Sequence, residues 1–593
     1  YGTRGTQTTN IGEIEFGDGG VGIYGANLTP GSTPTYGTPD ITITHSGLIE
    51  SIGTTKAFGI VADNTTGVSN VTMSAGSNID LSSVTGAAQG DLIGVYVKNS
   101  TLTSAGDISI GKNGIAMYSE DSNVNVTGGT INLNGDNSLG FYLKGNTNFS
   151  GTGTINVSGQ GVTIFNLNTN PGMTFNNAFT INTLGAGTYT LGSILNGTYY
   201  YNGSTTLGGN GTMIAAKNSA VVYDTTTNIT SSGNNNIGIY VDGIYGGGFP
   251  TIISSVTVNS EATNSGNITL NNLSAGLYGI NGASVENTSA GVITLGSSST
   301  GIYADGLTSN AVNNGTINVG SDSQGIYLKD GQRAENHGMI SGNGATVTGI
   351  IADNVNTPII NSGTMSLLGD KSIGIYTTGA SVKTINNTGT ITVGDSLNIS
   401  DSGIGIYTTN AGDTVNNTGT VSAGKKSIGI YTEKGTINQS GTMNIDEEGT
   451  GIYSKGSIIT LTAGSALNIA ANETIGVYGT NGTTITNNMA NTNIGAGSYG
   501  FILETGSTLN NNGQLTLNGN GTGVYSDGIN VINNSTGSDI TMLGNKNVGF
   551  YFVNGGTIIN NADIHGTTGQ SNIGVYSKGG TVTNTGAINV GDS

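Results

Sequence analysis

The sequence predicts an all-β fold: a right-handed parallel β-helix with coils of about 24 residues and loop insertions. Three observations predict it. A short motif keeps returning, as SIGIYTTG at 372–379, GIGIYTTN at 403–410, SIGIYTEKG at 427–435, TGIYSKG at 450–456, TIGVYGTNG at 474–482 and NIGVYSKGG at 572–580. Its spacing is nearly constant, and a fixed period in this range is the signature of a solenoid. Helix signals are missing, since Gly and β-branched residues dominate and apolar residues do not recur at helical spacing.

The period is read at the Tyr position, from Tyr278, Tyr303, Tyr327, Ile351, Tyr376, Tyr407, Tyr431, Tyr453, Tyr478, Ile502, Tyr525, Tyr551 and Tyr576. Successive gaps are 25, 24, 24, 25, 31, 24, 22, 25, 24, 23, 26 and 25, so one insertion falls between 376 and 407. Towards the N-terminus the register passes through Tyr24, Val61, Tyr96, Tyr118 and Tyr142, loosens, and recovers at Tyr240. Three regions follow: 1–164, a β-helix with an insertion at 25–57; 165–275, an irregular β-helix region with insertions; and 276–593, a regular shaft.

One unit, 427–450, reads as three short strands, IGIYT, TINQS and TMNID, separated by the turns EKG, SG and EEG. Glycine is expected to supply the positive φ at these corners. Coils stacked at ~4.8 Å place equivalent residues in columns. Strict alternation would put Ile428 and Ile430 inside, with Gly429 and Tyr431 outside. The inner column is then Val95, Phe141, Ile239, Ile302, Ile375, Val477 and Phe550, beside an outward tyrosine ladder. NNTGTI (386–391) and NNTGTV (416–421) predict interior Asn turns with amide ladders along the axis. A charged or polar turn column follows two residues after Tyr: Lys98, Lys144, Asp242, Asp305, Lys329, Glu433, Lys455, Asp527 and Lys578.

Composition excludes several functions. The 593 residues include 103 Gly, 6 Pro and no Cys or Trp; 9% are charged, with a net charge of −19. Glycine without a Gly-x-y period is not collagen, and apolar residues this regularly placed are not disorder. The acidic balance disfavours nucleic acid. No disulfide or thiolate site can form, and His45, His337 and His565 lie far apart without metal-ligand spacing. GTVSAGKKS (419–427) misses the phosphate-loop pattern, because Lys426 stands where Ser or Thr is required. IDEEGTG (445–451) lacks the alternating ligands of a calcium loop. Asp305, Asp330 and Asp353 fall on successive coils, as a glycosidic site would need, but sit beside Gly at turns. No catalytic residue, cofactor or metal is therefore assigned.

Units such as INNTGTITVGDSLNISDSGIGIYTTNAG (385–412) and GIYSKGSI resemble the passenger domains of very large fusobacterial type V autotransporter adhesins, the galactose-inhibitable and arginine-inhibitable outer-membrane group. The resemblance covers about 1–165 and 215–593. It implies display on the bacterial outer membrane through a C-terminal barrel, and adhesion to other bacteria and to host cells. The implied partners are a host receptor, such as the immune receptor TIGIT, or galactose-type glycans. It carries no binding residue onto this chain. The chain opens on YGTRGTQTTN and closes on GAINVGDS inside a repeat, so signal and anchor are expected on a longer chain.

In solenoids, binding residues concentrate where the repeat is broken. The breaks are 25–57, with GSTPTYGTPD and Pro34 and Pro39; 165–215, with LNGTYYYNG; and 241–275, opening VDGIYGGGFP. The candidate partner-binding residues are Tyr36, Tyr199, Tyr200, Tyr201, Tyr245 and Phe249, aromatics in Gly-rich loops that could anchor a sugar or a protein. The alternatives are a passive β-helix spacer that projects a distal tip, and a carbohydrate-active β-helix enzyme.

Overall fold

The computed structural model describes residues 6–27, 41–65, 67–170, 173, 175–183, 189–195, 198–201, 205–207, 209–217, 220–223, 228–243, 260–355, 357–398, 401–566 and 568–591. The chain divides into two compact units, Tyr1–Ser284 and Val285–Ser593. Each is a parallel β-helix with three strand-bearing sides.

In the second unit the coil at 428–445 has a first side Ile428–Glu433, a second side Thr436–Gln439 and a third side Thr442–Ile445. Each side pairs in parallel with its counterpart one coil on, through Ile430↔Ile452, Ile437↔Ile459 and Met443↔Leu467. The predicted core column forms: Ile302, Ile375, Ile406, Ile430 and Ile452 are all 0% exposed.

Strict alternation fails at the glycine. Gly429 and Ile430 are both buried, while Ile428 and Tyr431 are half-exposed. A Cβ on Gly429 would lie 2.4 Å from Met443 Cε and 2.6 Å from the Gly451 carbonyl oxygen. The strand therefore bends at Gly429, whose missing side chain lets one coil's backbone approach the next. Ile428 turns outward as a result, contrary to the sequence reading. Gly405 and Gly451 meet the carbonyls of Gly429 and Gly476 in the same way, each at 2.5 Å.

The corners also differ from expectation. Lys434 (φ 53°) and Glu448 (φ 59°) take the left-handed conformation, not the glycines after them. Gly435 is needed for space, since its Cβ would lie 2.6 Å from the Asp413 carbonyl oxygen. The charged column sits at the ends of first-side strands, as at Glu433 and Lys455, rather than in the turns.

The amide ladder forms on the inner face of the second side. Asn287, Asn313, Asn336, Asn361 and Asn387 each donate from Nδ2 to the Oδ1 of the next, ending on Asn417, at 2.6–2.8 Å. Asn417 then donates to Gln439 Oε1 at 2.8 Å. Leu461 follows in register and breaks the file, which resumes from Asn487 through Asn511, Asn534 and Asn560 to Asn584. Burial would orphan these amides; the ladder pairs each with its copy in the adjacent coil. The first Asn of each NNTG turn faces outward and forms a second file, Asn438 to Asn416 to Asn386, at 2.8 and 2.9 Å.

In the first unit first-side pairing continues through the described residues of 165–215. Pairing runs Tyr142↔Asn166, Asn166↔Ser193, Ser193↔Ala215 and Ala215↔Tyr240. The tyrosine signal is lost there because an outward position can be polar or small, whereas the inward Phe165 and Ile214 stay buried. Second and third sides merge in one strand, Asn148–Val157, which pairs with Phe175–Thr183. Around it, Phe141, Phe149, Phe165 and Phe179 pack at centroid distances of 4.9–6.4 Å. The insertion predicted at 25–57 contains residues that pair with the next coil. Ile41–His45 and Leu48–Ser51 are ordinary strands, with Ile41, Ile43 and Ile49 fully buried. Residues 28–40, which carry Tyr36, lie outside the described residues.

Candidate binding surface

Of the six candidate residues, Tyr36, Tyr245 and Phe249 lie outside the described residues. Tyr199, Tyr200 and Tyr201 lie in a strand, Thr198–Tyr201, paired in parallel with Ala220–Tyr223. They belong to a side of the coil and not to the Gly-rich loop that the sequence suggested. β-Propensity explains the difference, since three aromatics favour a pleated strand.

One continuous surface among the described residues is the tyrosine face. Tyr376, Tyr407, Tyr431, Tyr453 and Tyr478 follow one another at centroid distances of 5.4, 4.9, 5.2 and 4.8 Å. In the first unit Tyr96, Tyr118 and Tyr142 stack at 5.0 and 4.7 Å. Ile373, Ile404, Ile428 and Ile475 stand beside the ladder, half-exposed. From Tyr407 to Tyr478 the rings stack, so the inner ring faces are covered by their neighbours. The surface therefore offers ring edges, hydroxyls and isoleucine methyls, not open faces for a sugar.

Charge is organised along this face. The Tyr431 hydroxyl donates to Glu433 Oε1 at 2.6 Å, and Lys455 Nζ reaches the same oxygen at 3.0 Å. Burial, then the Glu433 hydrogen bond, pushes the Tyr431 phenol up to about 12. Tyr96 and Tyr478 are also raised, chiefly by burial. A phenol whose folded pKa is raised contributes stability that is complete below its unfolded value, about 10, and is lost as pH rises towards the folded value. The protein should therefore lose stability between pH ~10 and ~12. Thermal melts across that range check this, and Tyr431→Phe should make the loss shallower.

Two of the acids considered for catalysis, Asp305 and Asp330, are engaged along the axis. Lys329 Nζ lies 3.6 Å from Asp305 and is in register with Asp353. Asp330 accepts from Asn354 Nδ2 at 2.6 Å. The acids of IDEEGTG meet the lysines of GKKS on the neighbouring coil, with Lys425 Nζ 2.6 Å from Glu447 and Lys426 Nζ 3.6 Å from Glu448. One arrangement escaped the sequence reading. Ser362 Oγ lies 2.6 Å from His337 Nδ1, and His337 Nε2 lies 3.0 Å from Glu335 Oε2, which Arg333 also holds at 2.6 Å. Burial raises the Glu335 carboxyl, but the Arg333 and His337 bonds outweigh it and hold it low. The amides of Ser362 and Gly363 both donate to the Asn336 carbonyl, at 2.8 and 3.1 Å. Neither is left to stabilise an oxyanion beside Ser362, so the trio reads as a structural network. Only the coil period, which sets 337 beside 362, could have revealed it.

A groove of about 450 Å³ runs along the third side of the second unit, from Leu368 to Ala471. Its lining includes the outward file Thr392, Ser422, Asn444 and Asn468. Asn444 Nδ2 donates to Ser422 Oγ at 3.1 Å, and Asn468 Nδ2 to Asn444 Oδ1 at 2.7 Å. Asp395 and Asp446 line the groove as well. Gly394 and Gly424 are also in the lining; a Cβ on Gly394 would lie 2.2 Å from the Leu368 carbonyl oxygen.

The fold and these faces define a β-solenoid that displays ladders of repeated side chains. No protein-family model matches the chain, and no curated protein matches it significantly. No helix among the described residues is long and apolar enough to cross a membrane.

Proposed function

We propose that this chain is the surface-displayed part of a bacterial adhesin that binds host-cell receptors or glycans and partner bacteria. The observation that carries the reading is the tyrosine face. The tyrosines, flanked by isoleucine in four of five successive coils, stack along the axis and also leave a half-exposed apolar stripe, and contiguous apolar surface of this kind marks interaction sites. Phenol edges and hydroxyls on a rigid backbone suit a protein partner, because little side-chain freedom is lost on contact. The repeats' resemblance to fusobacterial autotransporter passengers supports outer-membrane display, with TIGIT or galactose-type glycans as first partners to test.

The test is adherence of the purified chain to epithelial and immune cells and to other bacteria, with and without galactose or arginine as competitor. Absence of saturable binding to all of them would leave the spacer reading. A second experiment locates recognition. If the Tyr199–Tyr201 strand contributes, its triple alanine variant should bind at least ~10-fold more weakly while keeping its β-sheet circular dichroism. Unchanged affinity removes that strand from the binding surface and leaves the tyrosine face.

A further inference from the structure

We infer that the third-side groove at Leu368–Ala471 is a binding site for a neutral oligosaccharide laid along the solenoid axis; the inference rests on the adhesin reading and supplies a ligand class for it. The groove crosses five successive coils and lies at the base of the one long coil of the second unit, where the gap from Tyr376 to Tyr407 is 31 residues. Its volume is in the range of small-ligand sites.

The groups lining it are those that recognise sugar hydroxyls. Thr392 and Ser422 bring hydroxyls that donate and accept; Asn444 and Asn468 bring amides that do both. The ladder bonds use one amide hydrogen of each Asn and fix the plane of each side chain, so the remaining donors are held in place before a ligand arrives. The two lining carboxylates are also fixed. Asp395 Oδ1 accepts from the Lys425 amide at 2.8 Å, and Asp446 Oδ1 from the Glu447 amide at 2.8 Å, which leaves the second oxygen of each as an acceptor. The coils repeat at ~4.8 Å, close to the length of one sugar residue in an extended chain, so successive sugars meet successive coils. Leu368, 49% exposed, closes one end with an apolar surface suited to a sugar's C–H face.

Charge selects within the class. Among the described residues no basic side chain lines the groove, and two acids, Asp395 and Asp446, do. Sulfated and sialylated chains would set like charges against Asp395 and Asp446 in a partly desolvated site. The ligand is therefore an uncharged chain.

The test is titration calorimetry of the full chain with neutral hexose tetrasaccharides of varied linkage and with their sulfated counterparts. At least one neutral tetramer should bind, and sulfation should weaken it at least tenfold. Ser422→Leu projects outward and fills the groove without entering the core; it should weaken binding at least tenfold with the melting temperature unchanged. Asp446→Asn should reduce the penalty for sulfation. Failure of every neutral tetramer to bind, preference for sulfated chains, or full affinity in Ser422→Leu would each overturn the inference. Cell adherence is measured in parallel. Adherence retained by a chain that binds no tetramer sinks the groove alone, whereas tetramer binding without adherence sinks the adhesin reading alone.

Discussion

Ile406→Asp should unfold the coils on either side of it. Ile406 is fully buried between Ile375 and Ile430, with which it is in register. A carboxylate there has no cation or spare donor among the described neighbours, so it must stay charged at great cost or take up a proton. The expected loss is on the order of 4 kcal/mol or more, enough to melt local coils in a solenoid held by nearest-neighbour contacts. Hydrogen exchange should show lost protection in the strands Ile373–Thr378, Ile404–Thr408 and Ile428–Glu433. Ile404→Asp is the control. It lies two residues away, where strict alternation would make it equally buried, yet it is half-exposed. Its cost should stay below about 1 kcal/mol. Equal losses in the two variants would mean that the strand does not bend at Gly405.

Gly429→Val sets two effects against each other. Valine favours a strand over glycine by roughly 1 kcal/mol, so propensity alone predicts stabilisation. Its Cβ, however, would enter the space of Met443 Cε at 2.4 Å and of the Gly451 carbonyl oxygen at 2.6 Å. Met443 can move; the carbonyl belongs to the next coil's ladder and cannot. Overpacking of this kind costs about 1–3 kcal/mol, and a displaced ladder bond adds about 1 more. Net destabilisation of about 2–3 kcal/mol is expected in urea unfolding. Gly464→Ala, where the nearest atom to the new Cβ is 3.9 Å away, should change stability by less than about 0.5 kcal/mol. Ala116 and Ile164 occupy the equivalent column in the first unit and are buried there, so the prediction concerns Gly429 and its measured contacts, not glycine as a rule.

The period, the three sides of each coil and the inner column were legible in the sequence because burial imposes the same choice in every coil. Ile302, Ile375 and Val477 had to be apolar wherever they fell. Outward columns carry no such demand, which is why the register seemed to fail at Asn166, Ser193 and Ala215 while the backbone ran on. The bend at Gly429 was not legible. Alternation is a rule about ideal pleats, and a glycine that lets two backbones touch looks the same in sequence as one that makes room for a ring. Corners misled for a related reason, since Lys434 and Glu448 adopt positive φ only because the coil's closure requires it. On the binding side, the sequence pointed to aromatics in the breaks. It could not show that the groove's lining comes from five separate coils, since Thr392, Ser422, Asn444 and Asn468 meet only after folding.

The amide file has a consequence for how such a chain changes length. The side-chain partner of a ladder residue lies one coil away and is nearly always the same residue type, as Asn387 is to Asn417. Removing one whole coil from the gene would join Asn to Asn, Ile to Ile and Tyr to Tyr, and the new junction would be as well bonded as the old. A cut of half a coil would instead set a buried amide against a phenol and leave both without partners. Recombination between repeats should thus yield folded products almost only in whole-coil steps, so related genes can differ greatly in length while their surfaces stay in phase.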